Sequence, residues 1–284
     1  MKSTQGFSLP SDSVTTRRMT SIIVSPSPPP RIAVVIPIHN EELFIRDVIR
    51  TVPSWVYRII VVDDGSTDDG ITVTEQTGDQ RVSIVRHTRN QGVGAAIVTG
   101  YRAALDAHAE IVVVIGGDGQ MDPRDMESLI QPLVTGIADY VKGNRFTRRD
   151  HVRRIPWRRR LGIRVFTEWT RWAAGNRSFG DAQCGYTACT DRLLRSLDLD
   201  RLHPGYGFPN HFIIETLTAG FQIREQAVKP IYGSEVSGIH PFRDLPRLMI
   251  RLLAWGFARW NPLSRIMRLF RREPGTTSGR TETA

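Results

Sequence analysis

Four short runs of β-branched residues limit what this chain can fold into: IAVVIPI at 32–38, YRIIVVDD at 57–64, RVSIVRH at 81–87 and IVVVIGGD at 111–118. Each is nearly continuous in apolar residues and stops on polar or turn residues, as strands buried on both faces do. Helical segments lie between them. NEELFIRDVIRTV opens on Asn40, which predicts an N-cap, and GVGAAIVTGYRAALDA is rich in alanine. Buried strands alternating with helices predict an α/β fold, a mostly parallel sheet with helices on both faces. At 284 residues and 40% apolar, the chain has enough material for one such core.

In a sheet of this kind ligands bind outside the carboxyl ends of the strands. The segments predicted there are NEE (40–42), DDGSTDD (63–69), NQGVG (90–94) and GDGQ (117–120). The last is the most pointed, because a buried run ends by exposing Asp118, with Gln120 and Asp122 behind it. Asp118 and Gln120, two apart at a strand terminus, can offer oxygens to one magnesium or manganese ion completed by phosphate and water. A plainer reading makes Asp118 and Asp122 caps for a helix at 124–136. NQGVG is open in the same way. Gly92 and Gly94 either bring backbone N–H groups to a diphosphate or allow close helix packing.

VVIPIHNEE, VVDDGSTD, NQGVGAA, GGDGQMDP and VKGNRF, in this order and spacing, resemble the family-two inverting glycosyltransferases of the GT-A fold. Within that family the likeness is to the dolichol- and polyprenyl-phosphate sugar synthases, over residues 31–240. The resemblance implies a single Rossmann-like domain, a nucleotide-sugar donor, a divalent metal and inversion at the anomeric carbon. It also implies that Asp64 contacts the base or ribose, with Pro37, Asn40 and Glu42 lining that pocket and Gly92 beside the diphosphate. The family usually has Asp-x-Asp where this chain has Gly116 and Asp118, and many relatives carry a basic residue where Val93 stands. FGDAQCGYTA (179–188) matches the family's Asp-x-x-x-Gly-aromatic motif, which puts Asp181 and Gln183 at the sugar or the acceptor. PIYGSEVSGI (230–239) resembles the loop that closes over the active site, with Ser237 its functional residue. Both segments also read as ordinary turns.

The acceptor is argued from what is missing. Family members that glycosylate hydroxyls usually carry a carboxylate base in the segment corresponding to GFPNHFIIE, where this chain has Pro209, Asn210 and His211. A hydroxyl nucleophile needs such a base. A phosphate monoester, with a second pKa of about 6, is already ionised and needs only positive charge to hold it. Arg145 in GNR and Arg159 in WRRRLG match the positions of the synthases' acceptor-phosphate arginines, and a guanidinium fork suits phosphate. The expectation is transfer of a hexose to polyprenyl phosphate, with Asp118, Gln120, Arg145 and Asp181 as the catalytic set. Two alternatives stay open. One is a soluble acceptor such as a phosphorylated glycerate, with His211 or Asp181 as base; the other is a catalytically weakened, basic membrane-binding module.

Charge points to a surface. Of a net +9, ten arginines fall between Arg148 and Arg177 against Asp150 and Glu168, interleaved with Trp157, Phe166, Trp169 and Trp172. Leu161, Val165, Trp169 and Trp172 stand at helical spacing beside Arg160, Arg164 and Arg171, which suits a helix in an anionic membrane interface or one facing the core. LPRLMIRLLAWGFARW repeats the pattern with Arg247, Arg251 and Arg259. Its uncharged runs fall well short of the roughly 20 apolar residues of a membrane span. The expectation is peripheral association at the cytoplasmic membrane face without a transmembrane helix. Nucleic acid is not expected, since no recognition motif accompanies the charge. Cys184 and Cys189, the only cysteines, read as small buried hydrophobes. Ser/Thr/Pro-rich tails are expected at 1–30 and 273–284, flanking a catalytic domain at 31–240 and basic amphipathic helices at 241–272.

Overall fold

A computed structural model describes residues 29–231 and 241–260. Ser237, most of the predicted N-terminal tail, the basic segment beyond 260 and the C-terminal tail lie outside the described residues. In chain order the elements are β1 (Ile32–Ile38), α1 (Ile45–Thr51), β2 (Arg58–Asp63), α2 (Gly70–Glu75), β3 (Val82–Arg86), α3 (Val93–Asp106), β4 (Ile111–Val114) and α4 (Met126–Val134). There follow β5 (Tyr140–Asn144), α5 (Arg149–Arg154), α6 (Trp157–Ala174), β6 (Thr187–Thr190), α7 (Asp191–Ser196), α8 (Phe208–Thr218), β7 (Ile223–Ala227) and α9 (Pro241–Trp260).

The strands form one sheet in the order β3-β2-β1-β4-β6-β5-β7. The pairs β1–β2, β2–β3, β1–β4 and β5–β7 are parallel, and β6 alone runs antiparallel to both of its neighbours. The period-two pleat sends Ala33 and Val35 of β1 into one core and Ile32, Val34, Ile36 and Ile38 into the other. The first core is roofed by α3, α6, α8 and α9, the second by α1, α2 and α4. Both faces are therefore dry, which is why the strand sequences do not alternate with polar residues.

Three local expectations are corrected. Asn40 is not a helix cap: α1 begins at Ile45, and Asn40 sits at φ +61° in the left-handed region that asparagine tolerates. Its side chain is used elsewhere, accepting from the Thr67 N–H at 2.8 Å. The helix predicted over 124–136 is shorter. Asp122 caps a 3₁₀ turn at Pro123–Asp125, and α4 ends at Val134, with the Ile137 and Ala138 N–H groups folding back onto the Pro132 carbonyl. Asp118 caps no helix, since its Oδ1 accepts from the Gln120 N–H in a tight turn.

Helix α6 settles which of its faces is inside. Ile163, Phe166, Thr167, Thr170, Ala173 and Ala174 are buried, a complete helical stripe. The predicted stripe lies on another face: Leu161, Val165 and Trp172 are exposed, and only Trp169 packs partly against the core. Arg171 leaves the arginine row, donating to the Phe179 carbonyl and pairing with Glu168. Helix α9 crosses α6, with Trp172 edge-on to Phe257. It buries Leu248 and Leu252 and leaves Ile250 and Phe257 66% and 65% exposed.

Candidate active site

The chain builds β1, β2 and β3 in one direction across the sheet, then returns to lay β4 on the other side of β1. The carboxyl ends of β1 and β4 thus flank the switch point, where α/β sheets open a crevice. Pro37 stands one residue before the end of β1, in register with Val62 of β2, and the Ile115–Gly117 segment passes so close that a Cβ on Gly117 would lie 2.5 Å from Ile38 Cγ2. Only glycine permits that approach. The bend carries Asp118 and Gln120 out of the sheet. Asp118 folds back so that a Cβ on Gly116 would lie 2.9 Å from its Oδ1, in the space where a first acidic side chain would begin.

The donor set suits a hard cation with few protein ligands. Asp118 supplies a carboxylate and Gln120 an amide oxygen, and among the described residues no group of three or more His, Cys, Asp or Glu gathers to hold a metal. Such a set fits an ion of the magnesium type, which keeps waters and takes phosphate oxygens.

On the β2 side, carboxylates tie loops together. Asp64 is 3% exposed. Its Oδ2 accepts from the Gly92 N–H at 2.7 Å, and its Oδ1 from the Gln91 N–H at 2.9 Å and from His87 Nδ1 at 2.7 Å. Asp63 accepts from the Ser66 N–H. The segments 40–42 and 63–69 are zipped reciprocally: the Asn40 N–H donates to Ser66 Oγ, the Glu42 N–H to Asp68, and the Asp69 N–H to Glu42. The structure therefore ties Asp64 to Gly92, and Asn40 and Glu42 to residues 66–69, with their polar groups used within these loops. Gly92 in particular does not offer its N–H to a diphosphate. Gly94 answers its own ambiguity in favour of packing, because a Cβ there would lie 2.2 Å from the His203 carbonyl, and the Ala95 N–H donates to the Pro204 carbonyl.

On the β5 side the carboxylates pair with cations. Arg145 grips Asp181 with Nε and Nη2, at 2.7 and 2.9 Å, and Asp181 is fully buried. Burial alone would raise the Asp181 carboxyl, but the charge and hydrogen bonds of Arg145, helped by Lys142, hold it below the ordinary carboxylate range. Lys142 is itself completely buried, its Nζ donating to the Cys184 carbonyl at 2.8 Å, and that burial lowers its pKa despite Asp181 and Glu225 nearby. Glu225 on β7 accepts from the Gly180 and Asp181 N–H groups and from Asn144 Nδ2, which fixes the loop that carries Asp181.

A pocket opens between the two predicted groups. Gln120 and Arg145 both line it, with Cys184, Tyr186, Val228 and Lys229 among the rest. Among the described residues that line it, none is Asp, Glu or His. Burial raises the Cys184 thiol, so it stays protonated.

Other predicted residues lie apart from this pocket. Gln183 donates from Nε2 to Asn210, which donates in turn to Thr170, a chain running toward α6 and α8. Arg159 is exposed on the first turn of α6. His211 stacks on Trp255 with ring centroids 4.3 Å apart, and its Nε2 is 3.5 Å from Glu215. Lys142, Glu225 and Lys229 are the residues the sequence did not single out. Lys142 alone carried a local signal, a lysine inside an apolar run that ends in VKGN.

The family model described as glycosyl transferase family 2 matches residues 33–200. The UDP-N-acetylglucosamine–dolichyl-phosphate N-acetylglucosaminyltransferase of Methanococcus voltae is 27% identical over 216 residues, covering 71% of this chain and 86% of its own. The polyprenol monophosphomannose synthase of Mycolicibacterium smegmatis is 27% identical over 241 residues, 81% of this chain and 88% of its own. Among solved structures, glucosyl-3-phosphoglycerate synthase from Mycobacterium tuberculosis in complex with UDP superposes with a TM-score of 0.59 at 25% identity, covering 81% of this chain and 80% of that one.

Proposed function

This chain belongs to glycosyl transferase family 2 and has its GT-A, Rossmann-like fold, and from that premise we propose that it moves a hexose from a nucleotide sugar to polyprenyl phosphate, with inversion and with a divalent metal. The observation that carries the choice of acceptor is the pocket between Gln120 and Arg145, which has a guanidinium in its wall and, among the described residues, no carboxylate or imidazole in its lining. The two bases that a hydroxyl acceptor would call on are both occupied. Asp181 is the buried counter-ion of Arg145, and His211 is stacked beneath α9.

The chemistry asked of the protein is correspondingly small. An acceptor phosphate oxygen forms the new bond to the anomeric carbon as the bond to the donor diphosphate breaks, and the electron pair leaves with the nucleoside diphosphate. No proton has to be removed from the nucleophile. Arg145, set rigidly by Asp181, holds the acceptor anion near a second anion that would repel it. Asp118 and Gln120 are the residues that would hold the metal, which when bound supplies neutralisation of the charge on the departing diphosphate. On the donor side Pro37, Asn40, Glu42, Asp64 and the Gly92 turn shape the nucleotide pocket as a rigid frame; Gln183, bonded to Asn210, and Ser237, outside the described residues, are the further proposed contacts to sugar or acceptor.

The names of the relatives support a lipid acceptor: one acts on dolichyl phosphate and another makes polyprenol monophosphomannose. A bilayer is the matching partner. Leu161, Val165 and Trp172 of α6 and Ile250 and Phe257 of α9 form an exposed apolar face among arginines, the composition of an interfacial helix pair. Among the described residues no helix is long and apolar enough to cross a membrane. The second reading, a phosphorylated glycerate, is favoured by the superposition on glucosyl-3-phosphoglycerate synthase.

One experiment separates them. The protein is incubated with radiolabelled nucleotide sugars and either short polyprenyl phosphates or 3-phosphoglycerate, then extracted with organic solvent. Label in the organic phase, together with sedimentation on anionic liposomes that weakens as salt rises, supports the lipid acceptor. Label only in an aqueous glycerate product, without liposome binding at low salt, replaces it with the soluble one.

A further inference from the structure

Of the described residues lining the pocket between Gln120 and Arg145, two carry charge, and both are cations: Arg145 and Lys229. They are not equivalent. The Arg145 charge is matched at close range by buried Asp181. Lys229 is exposed, and among the described residues its ammonium has no hydrogen-bond or ion-pair partner. Two carboxylates lie near it, and its charge acts on Asp122, though without a hydrogen bond or ion pair between them. Asp122 is taken by Arg124, and an Asp125 oxygen is used by the Lys229 backbone N–H at 2.8 Å.

The backbone holding Lys229 is fixed to the predicted metal loop. Besides the bond to Asp125, Pro230 forms a β-bridge with Met121, and the Ile231 N–H donates to the Gln120 carbonyl at 3.1 Å. Along this extended stretch Val228 and Pro230 are buried while Lys229, between them, turns outward. The lysine is thus anchored by its own peptide and neighbours while its side chain keeps its reach.

We propose that Lys229 is the second cation on the acceptor's phosphate monoester, a mobile point charge closing over a group that the Arg145 fork orients. This rests on the reading of the pocket as the acceptor site. The charge balance argues for it: Arg145 and Lys142 are offset by Asp181 and Glu225, and an acceptor approaching a donor diphosphate as a dianion is better held by a net positive wall. Division of labour between a planar fork and an ammonium follows from their geometry.

The test uses Lys229→Met and Lys229→Arg in the full chain, with acceptor varied at saturating donor and donor binding measured by calorimetry. Lys229→Met should raise the acceptor KM by at least tenfold and leave donor affinity within twofold, and Lys229→Arg should recover most of the loss. An unchanged acceptor KM, or a loss confined to donor affinity, overturns the assignment. Running short polyprenyl phosphate and 3-phosphoglycerate in parallel separates this inference from the choice of acceptor. If the wild type uses only the glycerate, the lipid reading fails, while Lys229 still stands or falls by its effect on the glycerate KM. Inorganic phosphate, titrated by ³¹P line width against protein saturated with UDP, gives a readout without turnover: broadening lost in Lys229→Met supports the site, and equal broadening in both proteins rejects it.

Discussion

The β2 wall and the β5 wall of the cleft both bury carboxylates, and they give them different partners. Asp63 and Asp64 accept main-chain N–H groups from residues 66, 91 and 92, with the His87 ring on Asp64 and the exposed Arg86 3.5 Å from Asp63. Asp181 accepts a guanidinium and sits beside a buried ammonium. A carboxylate that accepts N–H groups fixes the path of a loop, and its charge is spread over peptide dipoles. A carboxylate that pairs with arginine fixes a side chain and leaves a strong local dipole pointed at whatever binds beyond it. On the proposed function, the first wall would frame the donor by shape and the second would seat the acceptor anion.

The deepest cut falls at the junction of the walls. Asp118→Ala should abolish transfer and metal-dependent donor binding while the circular dichroism spectrum and the unfolding midpoint stay near those of the wild type; retained turnover would remove Asp118 from the site. Next come substitutions of Arg145. Arg145→Ala strands Asp181 as an uncompensated buried charge, which costs about 3–5 kcal/mol, so urea unfolding should shift strongly. Arg145→Lys keeps a cation there but loses the fork, so stability should largely survive while the acceptor KM rises about tenfold and donor affinity is spared.

A third variant strikes the opposite wall. Asp64→Asn loses a carboxylate that satisfies two backbone donors and His87, a loss of about 1–3 kcal/mol. Donor affinity should fall while the acceptor KM stays within twofold, the mirror of Arg145→Lys. If both substitutions moved the same constant, the division between the walls would collapse.

Acid distinguishes the walls more gently. The folded-state pKa of Asp181 lies below its ordinary value of 3.8. The stability it contributes is therefore fully present above the ordinary carboxyl pKa and lost as pH falls through the depressed folded value. Acid unfolding of the wild type should show this limb at low pH, and the double variant Asp181→Asn, Arg145→Gln should lack it. The smallest change expected is that of His211→Ala, with turnover within a few fold, because no proton has to be taken from a phosphate. A loss of several orders of magnitude there would reinstate a hydroxyl acceptor.

The β2 wall was legible in the sequence because its parts are contiguous. NEE, DDGSTDD and NQGVG each follow a strand, so naming the strands placed the loops at one end of the sheet. What could not be read was the direction of their polar groups. Asn40 looked like a cap because helix caps and left-handed turn residues share one amino acid, and Gly92 looked like a phosphate donor because its true acceptor, Asp64, comes from another strand. The β5 wall was only half legible. Arg145 and Asp181 sit in motifs, but Glu225 and Lys229 reach them only because β7 lies parallel to β5 at the sheet edge, with Glu225 in register with Lys142. No local pattern encodes that pairing. Helix α6 stayed open for a related reason. Its inward face includes Thr167 and Thr170, whose hydroxyls are used by the Ala182 N–H, the Phe166 carbonyl and Asn210, so the buried stripe looked polar and the apolar stripe suited a core or a membrane interface equally.

One contact described earlier bears on where this chain can be cut. His203 meets Trp255 of α9 with the two rings nearly perpendicular and presents its carbonyl to the start of α3, while His211 stacks on the same indole. Helix α9 is thus a keystone for the arch over the start of α3 as well as an outer cladding. Trimming the protein after residue 231 to obtain a smaller catalytic unit would bare Leu248's seat and both imidazoles, and slacken the peptide on which Gly94 and Ala95 rest. The boundary that composition places before the basic helix is a boundary of chemistry, and the mechanical unit runs on through Trp255.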